Sequence, residues 1–166
     1  ASDVYKRQYV FYENINSLSN FLIKQSKFSI KNILSGYQDK EKYYNGSAVY
    51  IYLGLTDIHR WYSPINGTIK YIETVPSVSF DELKKNKWSG TFFEERFFER
   101  NARGIIIIEN ADIGVEIAFI PIGMVTINTI NIGVKVNDVV SKGDDLGMFE
   151  MGGSAAIMLI SDNNKK

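Results

Sequence analysis

Apolar and β-branched residues along this chain fall into short runs divided by glycine, asparagine and aspartate, a spacing that predicts strands rather than long helices. Tyr9 to Tyr12 reads as a short strand. Asn16 to Gly36 reads as mostly helical, with Ser29 capping Ile30 to Leu34 and Gly36 stopping the helix. Ser47 to Leu53, rich in Val, Tyr and Ile, reads as a buried strand. Asn66-Gly67 predicts a tight hairpin turn between Trp61-Tyr62 and Thr68 to Thr74. Gly104 to Glu109 carries four consecutive isoleucines, too short for a helix and β-branched throughout, so it predicts a core strand. Val115 to Pro121 and Met124 to Ile132 read as two more strands. Val139-Val140, Leu146 to Phe149 and Ala155 to Ile160 complete the set. Thr91 to Glu99 mixes aromatic and acidic residues without a period and reads as a loop with one buried face. The fold class expected is mainly β, an antiparallel barrel or sandwich hybrid of short strands with a minor N-terminal helix.

The length of 166 residues fits one domain with its own core. Residues 1–8, Ala1-Ser2-Asp3-Val4-Tyr5-Lys6-Arg7-Gln8, match neither the period nor the composition of the rest of the chain. They read as translated adapter sequence, which leaves residues 9–166 as the domain and implies a natural chain that begins further upstream. There is no cysteine, which excludes disulfides, thiolate metal sites and cysteine nucleophiles, and no metal is expected. Lys+Arg and Asp+Glu both number 19, so nothing favours a polyanion, and nucleic acid is not an expected partner. The longest apolar candidate, Ile113 to Val134, is interrupted by Glu116 and by threonine and asparagine, short of the roughly 18 unbroken apolar residues of a membrane span. The expected location is cytoplasmic or peripheral to a membrane.

Candidate chemistry concentrates in two places. Gly152-Gly153-Ser154 stands directly before the apolar Ala155-Ala156-Ile157. A glycine leaves its carbonyl carbon unshielded by any Cβ, so the Ser154 hydroxyl can attack the Gly153 carbonyl and turn the amide into an ester. Elimination from that ester leads to a pyruvoyl group, an electrophile that the standard amino acids do not supply. A glycine pair before a strand is also an ordinary turn. His59, the one histidine, is the side chain type that exchanges protons near neutral pH, and by itself it is more often packed than catalytic.

His59 sits in Asp57-Ile58-His59-Arg60-Trp61-Tyr62-Ser63-Pro64-Ile65-Asn66-Gly67. This segment resembles the phosphatidylserine decarboxylase family, whose motif reads approximately Asp-Tyr-His-Arg-x-His-x-Pro-x-x-Gly. The shared residues are Asp57, His59, Arg60, Pro64 and Gly67. Val139 to Phe149, leading into Gly152-Gly153-Ser154, resembles the approach to the family's processing site, and Asn101-Ala102-Arg103 resembles its Asn-Glu-Arg. The similarity spans roughly Phe21 to Ile160. The resemblance implies self-cleavage between Gly153 and Ser154, with Ser154 becoming the pyruvoyl cofactor. That carbonyl condenses with the amine of phosphatidylserine or an amino acid, carbon dioxide leaves, and the carbanion is reprotonated. It implies catalytic roles for Ser154, His59 and Tyr62, with His59 orienting the substrate or moving that proton, and substrate binding by Arg60 and Asp57. A peripheral membrane contact and a homodimer are compatible with it.

One departure changes the picture. Tyr62 stands where the family has its second histidine, the residue that the resemblance assigns to activating the serine. A phenol titrates near pH 10 and is a poor base at neutral pH, so slow self-cleavage is expected. The family's upstream acidic partner falls near or before the adapter-like residues. Two other readings stand beside the decarboxylase. One is a processing-deficient, non-catalytic homologue, supported by Tyr62. The other is a carrier module, because Lys142-Gly143-Asp144 and Leu146-Gly147 also resemble the sandwich domains that carry biotin or lipoate, although the attachment lysine between methionines is missing.

Overall fold

The computed structural model describes residues 9–16, 21–23, 26–54, 57–76, 101–123, 130–150 and 155–162. The expected loop at Thr91 to Glu99 and the first part of the strand expected at Met124 to Ile132 lie outside them.

The strand expectations hold where isoleucine, valine and tyrosine are dense. In chain order the strands are β1 (Tyr9–Tyr12), β2 (Phe21–Ile23), β3 (Ser26–Phe28), β4 (Ser47–Tyr52), β5 (Arg60–Tyr62), β6 (Gly67–Val75), β7 (Arg103–Asn110), β8 (Val115–Ile122), β9 (Ile130–Ile132), β10 (Val139–Val140), β11 (Asp145–Phe149) and β12 (Ala155–Ile160). A seven-stranded sheet runs β1-β4-β12-β8-β7-β6-β10, and a three-stranded sheet runs β5-β11-β9. The large sheet is open, with β1 and β10 at its edges, so the sandwich half of the expected hybrid is the one realised.

The region 16–36 corrects the helical reading. Phe21–Ile23 and Ser26–Phe28 form an antiparallel two-stranded ribbon in which Phe21 opposes Phe28 and Ile23 opposes Ser26. A helix must repay a costly nucleus with a buried face, and among the described residues of this region only α1 (Ile30–Ile33) is helical. Ser29 caps it as expected, accepting the Asn32 N–H on its hydroxyl. Its end differs from expectation, because Ser35 rather than Gly36 takes the left-handed backbone, at φ 41°.

Each face of the large sheet carries one core. Ile105 and Ile107 of β7, Ala118, Ile120 and Ile122 of β8, and Ala155, Ile157 and Leu159 of β12 pack with Ile30, Ile33 and Leu34 around α1. Ile106 and Ile108, Phe119 and Ala156 point the other way, onto Trp61, Leu146 and Phe149 of the small sheet. The isoleucine run thus feeds both cores by strand alternation, and β7 and β8 are buried on both faces. Arg103 is buried and donates from Nε to the Ile33 carbonyl and from Nη2 to the Asn32 carbonyl, tying the end of α1 to the sheet.

The Asn66-Gly67 hairpin is not formed. β5 pairs with β11, whereas β6 pairs with β7 and β10, so the dipeptide carries the chain from one sheet to the other. Asn66 Oδ1 accepts the Lys142 N–H, and Ser63 exchanges backbone bonds with Gly143 and Asp144. Gly67 is required for packing, since a Cβ there would lie 2.5 Å from the Glu109 carbonyl oxygen. The same arrangement counts against the carrier reading. The Ser141-to-Asp144 turn links strands of two different sheets and is docked on Ser63 and Asn66, not presented at a hairpin tip.

At the opposite end of β8, Glu116 is buried and accepts the hydroxyls of Tyr37 (2.7 Å) and Tyr43 (2.9 Å) on one oxygen and Lys42 Nζ (2.8 Å) on the other. Burial, and then Glu116, push the Tyr43 and Tyr37 phenols well above their ordinary range. Burial, reinforced by Tyr52 and Tyr12, pushes Tyr50 up to about 12. The folded chain therefore keeps protons that the unfolded chain releases from about pH 10 upward. Their stabilising contribution is complete below about pH 10 and is lost as pH rises beyond it. Melting temperature should be level on this account at mildly alkaline pH and fall steeply above about pH 10. Tyr43→Phe should start lower, having lost one bond to Glu116, and fall less steeply. A flat profile through about pH 12 would refute the assignment.

Candidate active site

The start of β12, which follows the expected cleavage site, lies in a row of strand ends across the large sheet. Arg103 at the start of β7 opposes Ile122 at the end of β8. Ile122 opposes Ala155 at the start of β12, and Ala155 opposes Tyr52 at the end of β4. From Tyr52 the chain passes through Leu53 and Gly54 into the His59 segment. Asp57 stabilises that passage, its Oδ2 accepting the Gly54 N–H at 2.8 Å while its own N–H donates to the Gly54 carbonyl.

β5 alternates out, in, out: Trp61 is buried, whereas Arg60 and Tyr62 are exposed. Arg60, Tyr62 and Ile58 line a cleft of about 310 Å³ together with Ile51, Leu53, Trp61, Phe119 and Ala156. Ala156 is the second residue after Ser154, so the cleft reaches the strand that the expected cleavage site leads into. Gly153 and Ser154 lie outside the described residues, and so does the expected contact between Ser154 and His59. What the structure gives is the frame on either side. The Phe149 N–H donates to the His59 carbonyl at 2.9 Å, so β11 ends against His59, and beyond Glu150 the chain is next described at Ala155.

His59 is partly buried, its ring edge-on to Phe149 at 6.4 Å, and it is not among the residues that line the cleft. Its Nε2 is inaccessible and has no partner among the described residues. Trp61 Nε1 and both amide atoms of the fully buried Asn101 share this state. Buried polar atoms are normally bonded, so these groups hold hydrogen-bonding capacity that no described residue uses. Arg60 forms an ion pair with Asp145, and its Nη2 lies 3.6 Å from Met148 Sδ. Tyr62 opposes Asp145 across the β5–β11 ladder and is 48% exposed. The structure therefore brings Arg60 and Tyr62 together in one cleft and leaves His59 off its lining. It gives Asp57 a turn-forming role through its backbone bonds. Sequence reasoning passed over Ile51, Leu53, Trp61, Phe119, Ala156 and Asp145. Only the β11 aspartate carried a signal, its place two residues before a glycine.

The family model described as phosphatidylserine decarboxylase matches residues 7–166. The chain belongs to the phosphatidylserine decarboxylase family. It is 35% identical over 167 residues to an L-tryptophan decarboxylase of Psilocybe cyanescens, covering 92% of this chain and 38% of that protein. It is 32% identical to phosphatidylserine decarboxylase proenzyme 2 of Saccharomyces cerevisiae, covering 92% of this chain and 13% of that protein. The phosphatidylserine decarboxylase proenzyme of Fusobacterium nucleatum is 31% identical, with 92% and 49% covered. The chain spans less than half the length of each of these relatives. Among the residues it shares with the phosphatidylserine decarboxylase motif, Gly67 and Asp57 serve the backbone, whereas Arg60 faces the cleft and His59 keeps a free ring nitrogen.

Proposed function

We propose that this protein is a pyruvoyl-dependent carboxy-lyase that cleaves itself between Gly153 and Ser154 and acts on phosphatidylserine or a related amino acid. The observation that supports it best is the cleft itself. Ile51, Leu53, Ile58, Trp61 and Phe119 give it apolar walls, Arg60 places a cation on it, and it reaches Ala156. Family membership, the Gly-Gly-Ser sequence and the free Nε2 of His59 fit a pyruvoyl group derived from Ser154. Bound in place, that group supplies an electron sink for loss of carbon dioxide.

The chain's own residues have the remaining work. In processing, a base takes the Ser154 hydroxyl proton, the oxygen displaces the amide nitrogen at the Gly153 carbonyl, and elimination releases Gly153 as a carboxylate. Hydrolysis at residue 154 then releases ammonia. Tyr62 occupies the position of the family's base. In turnover, His59 orients the substrate or returns a proton to the carbon that has lost its carboxylate, and Arg60 takes an acidic group of the substrate. The apolar walls exclude water and cover the substrate's non-reacting part.

The exposed Ile58 and Tyr62 at the cleft, 65% and 48% accessible, favour a lipid held at a membrane surface, since large exposed apolar side chains beside a site mark apolar ligands. Among the described residues no helix is long and apolar enough to cross a membrane, and contact by a cytoplasmic protein through this rim is the arrangement proposed. A soluble aromatic amino acid is the second reading, favoured by similarity to a protein named as a tryptophan decarboxylase. Carbon dioxide release by the full-length protein, measured with phosphatidylserine vesicles and with free tryptophan, separates them. Release from the vesicles alone is expected. Release from tryptophan alone would establish the second reading, and release from neither would overturn both.

A further inference from the structure

β11 is irregular at one point. Asp145 opposes Tyr62, but Gly147, and not residue 146, opposes Trp61, so the ladder bulges between them. Gly147 makes the bulge feasible. Its φ is +143°, and a Cβ there would collide with the Asn131 carbonyl and press on the Trp61 ring. Bulges of this kind re-aim side chains next to sites. Here the bulge turns the Gly147 N–H onto Asp145 Oδ1 at 2.8 Å, while Asp145 Oδ2 accepts from Arg60 Nη1. Met148 Sδ meets Nη2 from the same strand.

The Arg60–Asp145 pair is a poor stabilising device, because both side chains are more than two-fifths exposed and such pairs add little to folding. Its geometry does something else. A guanidinium has five donors, and Asp145 engages it at Nη1 while Arg60 lines the cleft. We propose that Asp145 is a positioning residue: it is locked by the Gly147 bulge and holds the Arg60 guanidinium across the cleft, so that the donors left free take an anionic group of the ligand, a phosphodiester or a carboxylate. This rests on the cleft being the substrate site.

The test uses the full-length protein and two soluble probes, glycerophosphoserine, which carries both anionic groups, and serine, which carries only the carboxylate. Arg60→Ala should weaken glycerophosphoserine binding about tenfold, as expected for loss of a charge-assisted contact. Asp145→Ala should weaken it about three- to fivefold, Asp145→Asn less, and Asp145→Ala added to Arg60→Ala should have no further effect. If the phosphodiester is the group held, serine binding should be insensitive to all four variants. If the carboxylate is held, serine should lose the same factor. Unchanged glycerophosphoserine affinity in Asp145→Ala, or a further loss in the double variant, would overturn the inference, as would no binding by the parent. Decarboxylation is scored separately. Asp145-dependent binding without carbon dioxide release would refute the proposed activity and leave the positioning role standing.

Discussion

Ser154→Ala should abolish self-cleavage and decarboxylation together. No neighbouring side chain can replace the hydroxyl: position 153 is glycine and position 155 is a fully buried alanine paired into β12. Without the hydroxyl the Gly153 carbonyl meets no internal nucleophile, and without cleavage no carbonyl electrophile forms, so the loss should reach background in both assays and not merely slow them. Stability should change little, because the substitution removes one atom at a position preceding the strand. Electrophoresis of the purified variant and release of labelled carbon dioxide check the two losses. Retained decarboxylation in an uncut chain would remove the pyruvoyl mechanism from this protein.

Tyr62→His should accelerate processing at neutral pH. A phenol in water is about a thousandfold short of half-ionised at pH 7, whereas an imidazole is mostly free base there. If residue 62 accepts the Ser154 proton, the histidine variant gains that factor, less whatever is lost from the weaker basicity of imidazole. An increase of about ten- to a hundredfold is expected. Tyr62 is half-exposed at the cleft and flanks the Arg60–Asp145 pair, so the exchange should cost little stability. The fraction of split chain against time, at several pH values, measures it. Equal rates for the two forms would assign the base to another residue, with His59 and its free Nε2 next in line.

How much of the fold could be read from the sequence depends on how local each signal is. The isoleucine strand, β8 and β12 were legible because a largely apolar run buried on both faces specifies a central strand without reference to any partner. The ribbon at 21–28 was not, since the pairing of Phe21 with Phe28 competes with a helix that local propensity favours equally. Asn66-Gly67 misled for a related reason. Asparagine there accepts a backbone N–H from Lys142, 76 residues away, and the same residue types serve a hairpin turn and a loop clasp. At the site, Arg60 and Tyr62 were legible from the motif. The apolar walls were not, because Ile51, Phe119 and Ala156 come from three strands and meet only after the sheet is assembled. Asp145 was hidden more deeply still, since its aim depends on a bulge that the sequence signals only through one glycine.

The intact mass of the purified full-length protein tests the proposed chemistry most directly. On the present account a preparation aged at mildly alkaline pH contains two chains, one ending at Gly153 and one beginning at residue 154 with its N-terminus blocked as a pyruvoyl group. A single uncut chain under those conditions, or a cut at 153–154 that leaves a free amino-terminal serine, would contradict it.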